Sequence, residues 1–198
     1  MSNQSSTNGD VGETLHKMVG VWRDKIALFH LDGRPLDDDT QAGSGTPGAS
    51  PFENLVYISF DGSDFALTNV HIAGRPMTAK TFRGRMRDGL MVFDSLGDGA
   101  FENVGVSGGP GILTFNAMRL GPACEVYMEP DFIILTAPDQ RVRHTLLYRD
   151  GIAVRTLTAR GQKLSDNDKV RHALDPRGPD GKIHGETFRA PIWSHLVG

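Results

Sequence analysis

The sequence predicts an all-β protein, one closed antiparallel up-and-down barrel of 8–10 strands, on three observations. Glycine fills 24 of the 198 positions and proline 11, which implies many turns between short segments. From Trp22 onward, apolar residues alternate with polar ones, the two-residue period of a strand rather than the helical period. Turn dipeptides at Asp32-Gly33, Asp61-Gly62, Asp88-Gly89 and Asp150-Gly151 cut that alternation at regular intervals. A meander this long has to close, or curl strongly, to shield its edge strands.

In chain order, residues 1–9 read as a disordered leader. Asp10 caps a short helix through Glu13, Leu15 and Met18 that ends at Gly20. Strands are expected at 21–31, 54–61, 64–73, 76–87, 89–95, 100–106, 111–118, 123–129, 131–137, 140–149 and 151–161. The acidic, then Gly/Ser/Pro-rich segment 35–51 is a long loop, the kind that serves as a lid, a binding loop or an insert. The barrel domain is therefore set at 10–161 and a C-terminal extension at 162–198. In the extension, Ser165 and Asp168 open a short helix to Leu174, and Asp175-Pro176 stops it. Its tail carries Phe188, Ile192 and Trp193, so it is expected to pack on the barrel or on a partner subunit, the second giving a homodimer.

Charge and spacing exclude several functions. Lys+Arg 21 against Asp+Glu 24 gives a net charge of −3, without the basic excess of a nucleic-acid binder. No apolar run is longer than four residues, Leu90–Phe93 and Phe132–Leu135 among them, far short of a helix that spans a membrane. A lone Cys124 allows no intrachain disulfide, and the polar N-terminus lacks a signal-peptide pattern. A cytoplasmic protein without membrane or nucleic-acid partners is expected. The seven histidines show no paired metal-ligand spacing, so neither metal nor cofactor is expected. Gly43–Gly48 satisfies G-x-G-x-x-G, but no strand precedes it and no helix follows. Gly105–Gly109 satisfies G-x-S-x-G, but a strand follows where a nucleophile elbow needs a helix; it reads as a hairpin loop.

Gly20-Val21-Trp22, at the start of the first strand and just after the short helix, resembles the G-x-W motif of the calycin superfamily, the lipocalins and fatty-acid-binding proteins. The resemblance implies a barrel whose closed end is plugged by Trp22, stacked on an arginine of the last strand, for which Arg155 is the choice. The T-D-Y motif and the disulfide cysteines of secreted lipocalins are absent, which implies an outlying intracellular member. It also implies a small hydrophobic ligand inside the barrel, with or without a carboxylate or other anionic group.

Strand alternation then nominates site residues. Phe65, Leu67, Asn69 and His71 share a face, as do Arg83, Arg85 and Arg87, then Glu125, Tyr127 and Glu129, and then His144, Leu146 and Tyr148. Asn69, Arg83, Arg85 and Tyr148 are candidate ligand contacts. The arginine stripe reads either as a solvent-facing surface or as an interior anion site. His71, His144, Glu125 and Tyr127 are candidate acid–base groups, with hydrogen-bonded core histidines and a wet strand face as the plainer readings. The expected function is binding of a small hydrophobic molecule. The alternative is a cofactor-free cyclase, isomerase, lyase or dehydratase of secondary metabolism that uses the same cavity, and a docking module built on the tail is the third reading.

Overall fold

The structure, a computed structural model, describes residues 11–36, 51–71, 78–94, 101–121 and 123–166, with the backbone alone at 71 and 78–80. Helix α1 (Val11–Met18) precedes β1 (Gly20–Phe29), β2 (Phe52–Phe60), β3 (Asp64–His71), β4 (Thr78–Arg87) and β5 (Leu90–Phe93). Then come β6 (Val104–Gly109), β7 (Ile112–Leu120), β8 (Val126–Ala137), β9 (Gln140–Arg149) and β10 (Ile152–Ser165). Each strand pairs antiparallel with the next, and β1 also pairs with β10, so the barrel is closed and has no free edge. The leader, the 37–50 part of the long loop with Gly43–Gly48, the His71 side chain and the C-terminal helix and tail lie outside the described residues.

Turn chemistry places the hairpins. Asp88 and Gly89 have φ of 51° and 76°, and Asp150 and Gly151 have 50° and 76°, the doubly positive pattern of two-residue I′ turns. Between β2 and β3, Asp61 Oδ1 accepts from the backbone N–H of Ser63 at 2.9 Å and of Asp64 at 2.7 Å, a side chain standing in for a backbone turn.

Some boundaries differ from the expectation. Segments 123–129 and 131–137 form the single strand β8. Pro130 suggests a break because it has no N–H to donate. The strand continues because the ladder to β9 omits Glu129 and Pro130, pairing Met128 with Tyr148 and next Asp131 with Thr145. Residues Gly105–Gly109 end strand β6 rather than forming a loop. Strand β10 runs beyond 161 because Gly161 pairs with Asp24 and Lys163 with Trp22.

Two apolar clusters fill the barrel. At one end Val11, Leu15 and Met18 of α1 pack with Trp22, Ile58, Phe65, Met91 and Leu113, each buried side chain contributing about 1.5–3 kcal/mol. The outer side of the helix carries the exposed Lys17–Glu13 pair, and Thr14 Oγ1 accepts from the Gly111 N–H at 3.2 Å, tying the helix to the β6–β7 turn. A second cluster joins Ile26, Leu28, Phe52, Leu157 and Ala159. The inward positions of β1 run Trp22, Asp24, Ile26, Leu28, so a charged level lies between the two clusters.

Candidate functional site: a charged level inside the barrel

Asp24 and Arg141 are each about 3% exposed in their side chains and face one another across Gly161. Arg141 Nη2 donates to both Asp24 carboxylate oxygens, at 3.0 and 2.8 Å, and Nε donates to Oδ1 at 3.3 Å. The guanidinium carbon lies 4.6 Å from the centroid of the Trp22 ring, and Lys163 Nζ is 5.1 Å from it, a cation–π arrangement shielded from water. Trp22 Nε1 donates to the Met18 carbonyl at 2.8 Å, so the indole is fixed by the helix below it. Gly161 makes the pair possible, since a Cβ there would collide with Asp24 and stand 2.8 Å from Arg141 Cγ.

A second pair lies beside the first. Arg143 Nε and Nη2 donate to the Asp131 carboxylate at 2.6 and 2.9 Å. Burial pushes the Asp131 carboxyl up, opposed by Arg143, while Asp131 holds the Arg143 guanidinium above its usual range despite burial. The two short charge-assisted bonds hold the two side chains against one another.

These pairs border a cavity of about 80 Å³. Its apolar wall is Val56, Leu67, Phe82, Phe93, Phe115 and Ile133; Asn69, Asn103, Asn116 and Glu129 add polar groups. Asn103 is spent on β7, accepting from the Met118 N–H at 2.7 Å and donating to its carbonyl at 3.2 Å. On the cavity wall, Arg141 Nη1 is buried and makes no hydrogen bond, while the half-buried Glu129 side chain makes no hydrogen bond or ion pair with a described residue and acts on Arg143 and Asp131 through space.

Of the residues nominated from alternation, Asn69 lines this cavity. Arg83 and Arg85 do not, because Phe82 lines the cavity and Gly84 points at Phe65, which puts the arginines between them on the outer face; the interior anion site expected there is not formed. His144 is exposed, its Nε2 3.5 Å from Thr156 Oγ1, and Tyr148 shares its outer face by alternation. Glu125 and Tyr127 organise the β7–β8 turn. Glu125 accepts from the Ala123 N–H at 2.8 Å and from the Tyr127 hydroxyl at 3.1 Å, and Arg119 stacks on Tyr127 at 4.4 Å. Backbone N–H groups of Glu125 itself and of Ala123 hold the exposed Glu125 carboxyl below its ordinary value. The four acid–base candidates are therefore not brought together among the described side chains.

Gly20 has φ of 130°, and a Cβ there would collide with the Ser165 carbonyl, so this position of the motif admits glycine for steric reasons. Trp22 is fully buried, as the resemblance implies. The arginine over it is Arg141 of β9, in place of Arg155. On β10 it is Lys163 that pairs with Trp22, while Arg155 pairs with Leu147, eight residues or about 26 Å further along the strand. Asp24, Asp131, Arg141, Arg143 and Glu129 were missed as site residues. Their signal is a charge at an inward parity position, as with Asp24 between Trp22 and Ile26.

No protein-family model and no curated protein sequence matches the chain. Among solved structures it is similar to a DUF3598-family protein of unknown function from Nostoc punctiforme PCC 73102, at TM-score 0.53 and 14% identity. That match covers 82% of this chain but 53% of the other, so the chain spans about half the length of that relative. It is also similar to an S-type phycobiliprotein lyase from Guillardia theta, at TM-score 0.46 and 10% identity over 80% of this chain and 94% of the other. A third similar structure is EF1p2_mFAP2b bound to DFHBI, at TM-score 0.38 and 10% identity over 77% and 98%. The described residues form a closed ten-strand antiparallel barrel with one short helix and Gly20-Val21-Trp22 at its first strand, which fits a calycin-like fold. Among the described residues no helix is long and apolar enough to cross a membrane.

Proposed function

We propose that the protein binds a small, mainly apolar molecule inside the barrel, at the charged level, as an outlying member of the calycin superfamily. The observation that carries this reading is an apolar-walled cavity lined by Arg141, whose Nη1 is buried and unpartnered. A buried donor left without a partner costs about 1–3 kcal/mol, and an occupant that accepts from it recovers that loss. A few convergent polar groups in an apolar pocket are the general form of a ligand site. The volume limits the ligand: 80 Å³ is below the ~150 Å³ of a cavity that takes benzene. That size supports a compact ligand over a long acyl chain. Because His144, Glu125, Tyr127 and Arg83 are absent from the cavity wall, binding is favoured over catalysis.

Native mass spectrometry of the freshly purified protein is expected to show a small organic adduct that Ala117→Phe removes, since Ala117 lines the cavity and the larger ring fills it. Circular dichroism checks that the variant keeps its fold. The reading is overturned if no adduct appears and no small neutral organic molecule shifts the melting temperature.

A further inference from the structure

We infer that the ligand's polar group is an uncharged acceptor, a carbonyl oxygen that takes the hydrogen bond Arg141 Nη1 leaves unmade; this rests on the binding reading above and names its ligand class. A guanidinium presents its N–H groups around one rigid plane. In Arg141, Nε and Nη2 both donate to the Asp24 carboxylate, and the plane's carbon lies 4.6 Å from the centroid of the Trp22 ring. Nη1 is what remains: it is buried and makes no hydrogen bond. Arg141 lines the cavity, and Phe82, Phe93 and Phe115 on the same wall carry no acceptor for it. A buried donor on a cation calls for an acceptor.

Charge decides which kind of acceptor. The charged residues lining the cavity are Asp24, Glu129, Asp131, Arg141 and Arg143. Both arginines are already bonded to a carboxylate, Arg141 to Asp24 and Arg143 to Asp131. The half-buried Glu129 adds a third carboxylate that acts on the second pair through space. A ligand carboxylate would bring a further negative charge into this lining. To be gripped bidentately it would have to displace Asp24 or Asp131 and leave that side chain buried without its partner, which is strongly unfavourable. An ammonium fails for the opposite reason, since it offers no acceptor and is repelled by Arg141. A carbonyl oxygen meets both conditions. It accepts from Nη1 through a lone pair, carries no net charge to desolvate, and has no N–H or O–H that would need a buried partner of its own. Its dipole sets the negative end against the guanidinium, an attraction that the low dielectric of the interior strengthens. The apolar flanks of a small ketone, ester or lactone then lie against the phenylalanine wall.

The test uses three probes of one size and branching, butanone, 2-methyl-1-butene and propionate, which differ in carrying a carbonyl, a methylene or a carboxylate. Each is titrated into the full-length protein at neutral pH while amide chemical shifts of β8 and β9 are followed. Butanone is expected to bind tightest, by about ten-fold over the alkene, as for a hydrogen bond to a charged group, with propionate weakest. The double variant Asp24→Leu with Arg141→Met removes the donor together with its counter-charge, and is expected to bring butanone down to the level of the alkene. The order on the unaltered chain tests the inference even if the double variant folds poorly. Equal affinity for butanone and the alkene, or propionate binding tightest, overturns the carbonyl assignment and leaves the cavity reading standing. A butanone preference that survives the double variant overturns the role of Arg141. If none of the three probes shifts amides of β8 or β9, the cavity reading fails and the inference with it.

Discussion

The floor of the charged level and its wall use similar residues in opposite ways. On the floor, Asp24 and Arg141 meet through three hydrogen bonds, the guanidinium lies on Trp22, and Trp22 is tied to the helix. On the wall, the Glu129 side chain lines the cavity with no hydrogen bond or ion pair to a described residue. Charge buried in the barrel is thus structural where it is fully partnered. On the reading proposed above, the wall is the side that meets a ligand. Mutations on the floor should cost stability, and mutations on the wall should leave stability intact.

The largest effect is expected from breaking the floor on one side. Asp24→Asn leaves the Arg141 guanidinium buried without its counter-charge, an expected loss of about 3–5 kcal/mol in urea unfolding. The double variant Asp24→Leu with Arg141→Met should lose much less than Asp24→Asn. If the double variant is the worse of the two, the floor owes its stability to specific pairing rather than to charge balance.

Gly161→Ala comes next. Its Cβ would stand against Asp24 and Arg141, and a loss of about 1–3 kcal/mol is expected, read as a lower denaturation midpoint. An unchanged midpoint would mean that the pair has room to shift. On the wall, Glu129→Gln should leave thermal stability within about 1 kcal/mol of the parent, because the relief of a like charge beside Asp131 is offset by the lost attraction to Arg143. A marked drop in melting temperature would place Glu129 with the floor.

The smallest effect belongs to Glu125, outside both regions. Its folded-state pKa is lowered by backbone N–H donors, so its contribution is present above the ordinary carboxylate value of 4.5. That contribution fades as pH falls through the lowered value. Unfolding midpoints of the parent chain and of Glu125→Gln should converge on acidification below 4.5. Curves that stay parallel would remove the turn-locking role.

Much of the fold is legible in the sequence because strand period and turn chemistry are local. Asp88-Gly89 and Asp150-Gly151 adopt the turns their residues favour, and Gly20 and Trp22 sit where a short motif places them. Pro130 misled because a proline signals a break, whereas the chain tolerates it by leaving a gap in one ladder. The site was less legible. Alternation says which residues share a face, but not which face turns inward, and that choice excluded Arg83, Arg85, His144 and Tyr148 and admitted Asn69.

What the sequence determined by itself is the all-β meander, its turns and the tryptophan that closes one end. These follow from backbone preferences within a few residues, where φ, hydrogen-bond supply and two-residue alternation act. Only the tertiary structure decided that Arg141, 119 positions after Trp22 in the sequence, lies over the indole. The tertiary structure also decided that Asp24 and Asp131 neutralise the two arginines and that Glu129 is left facing the cavity. Those are matters of barrel closure and register, which pair strands distant in the chain and fix which charges are buried against a counter-charge.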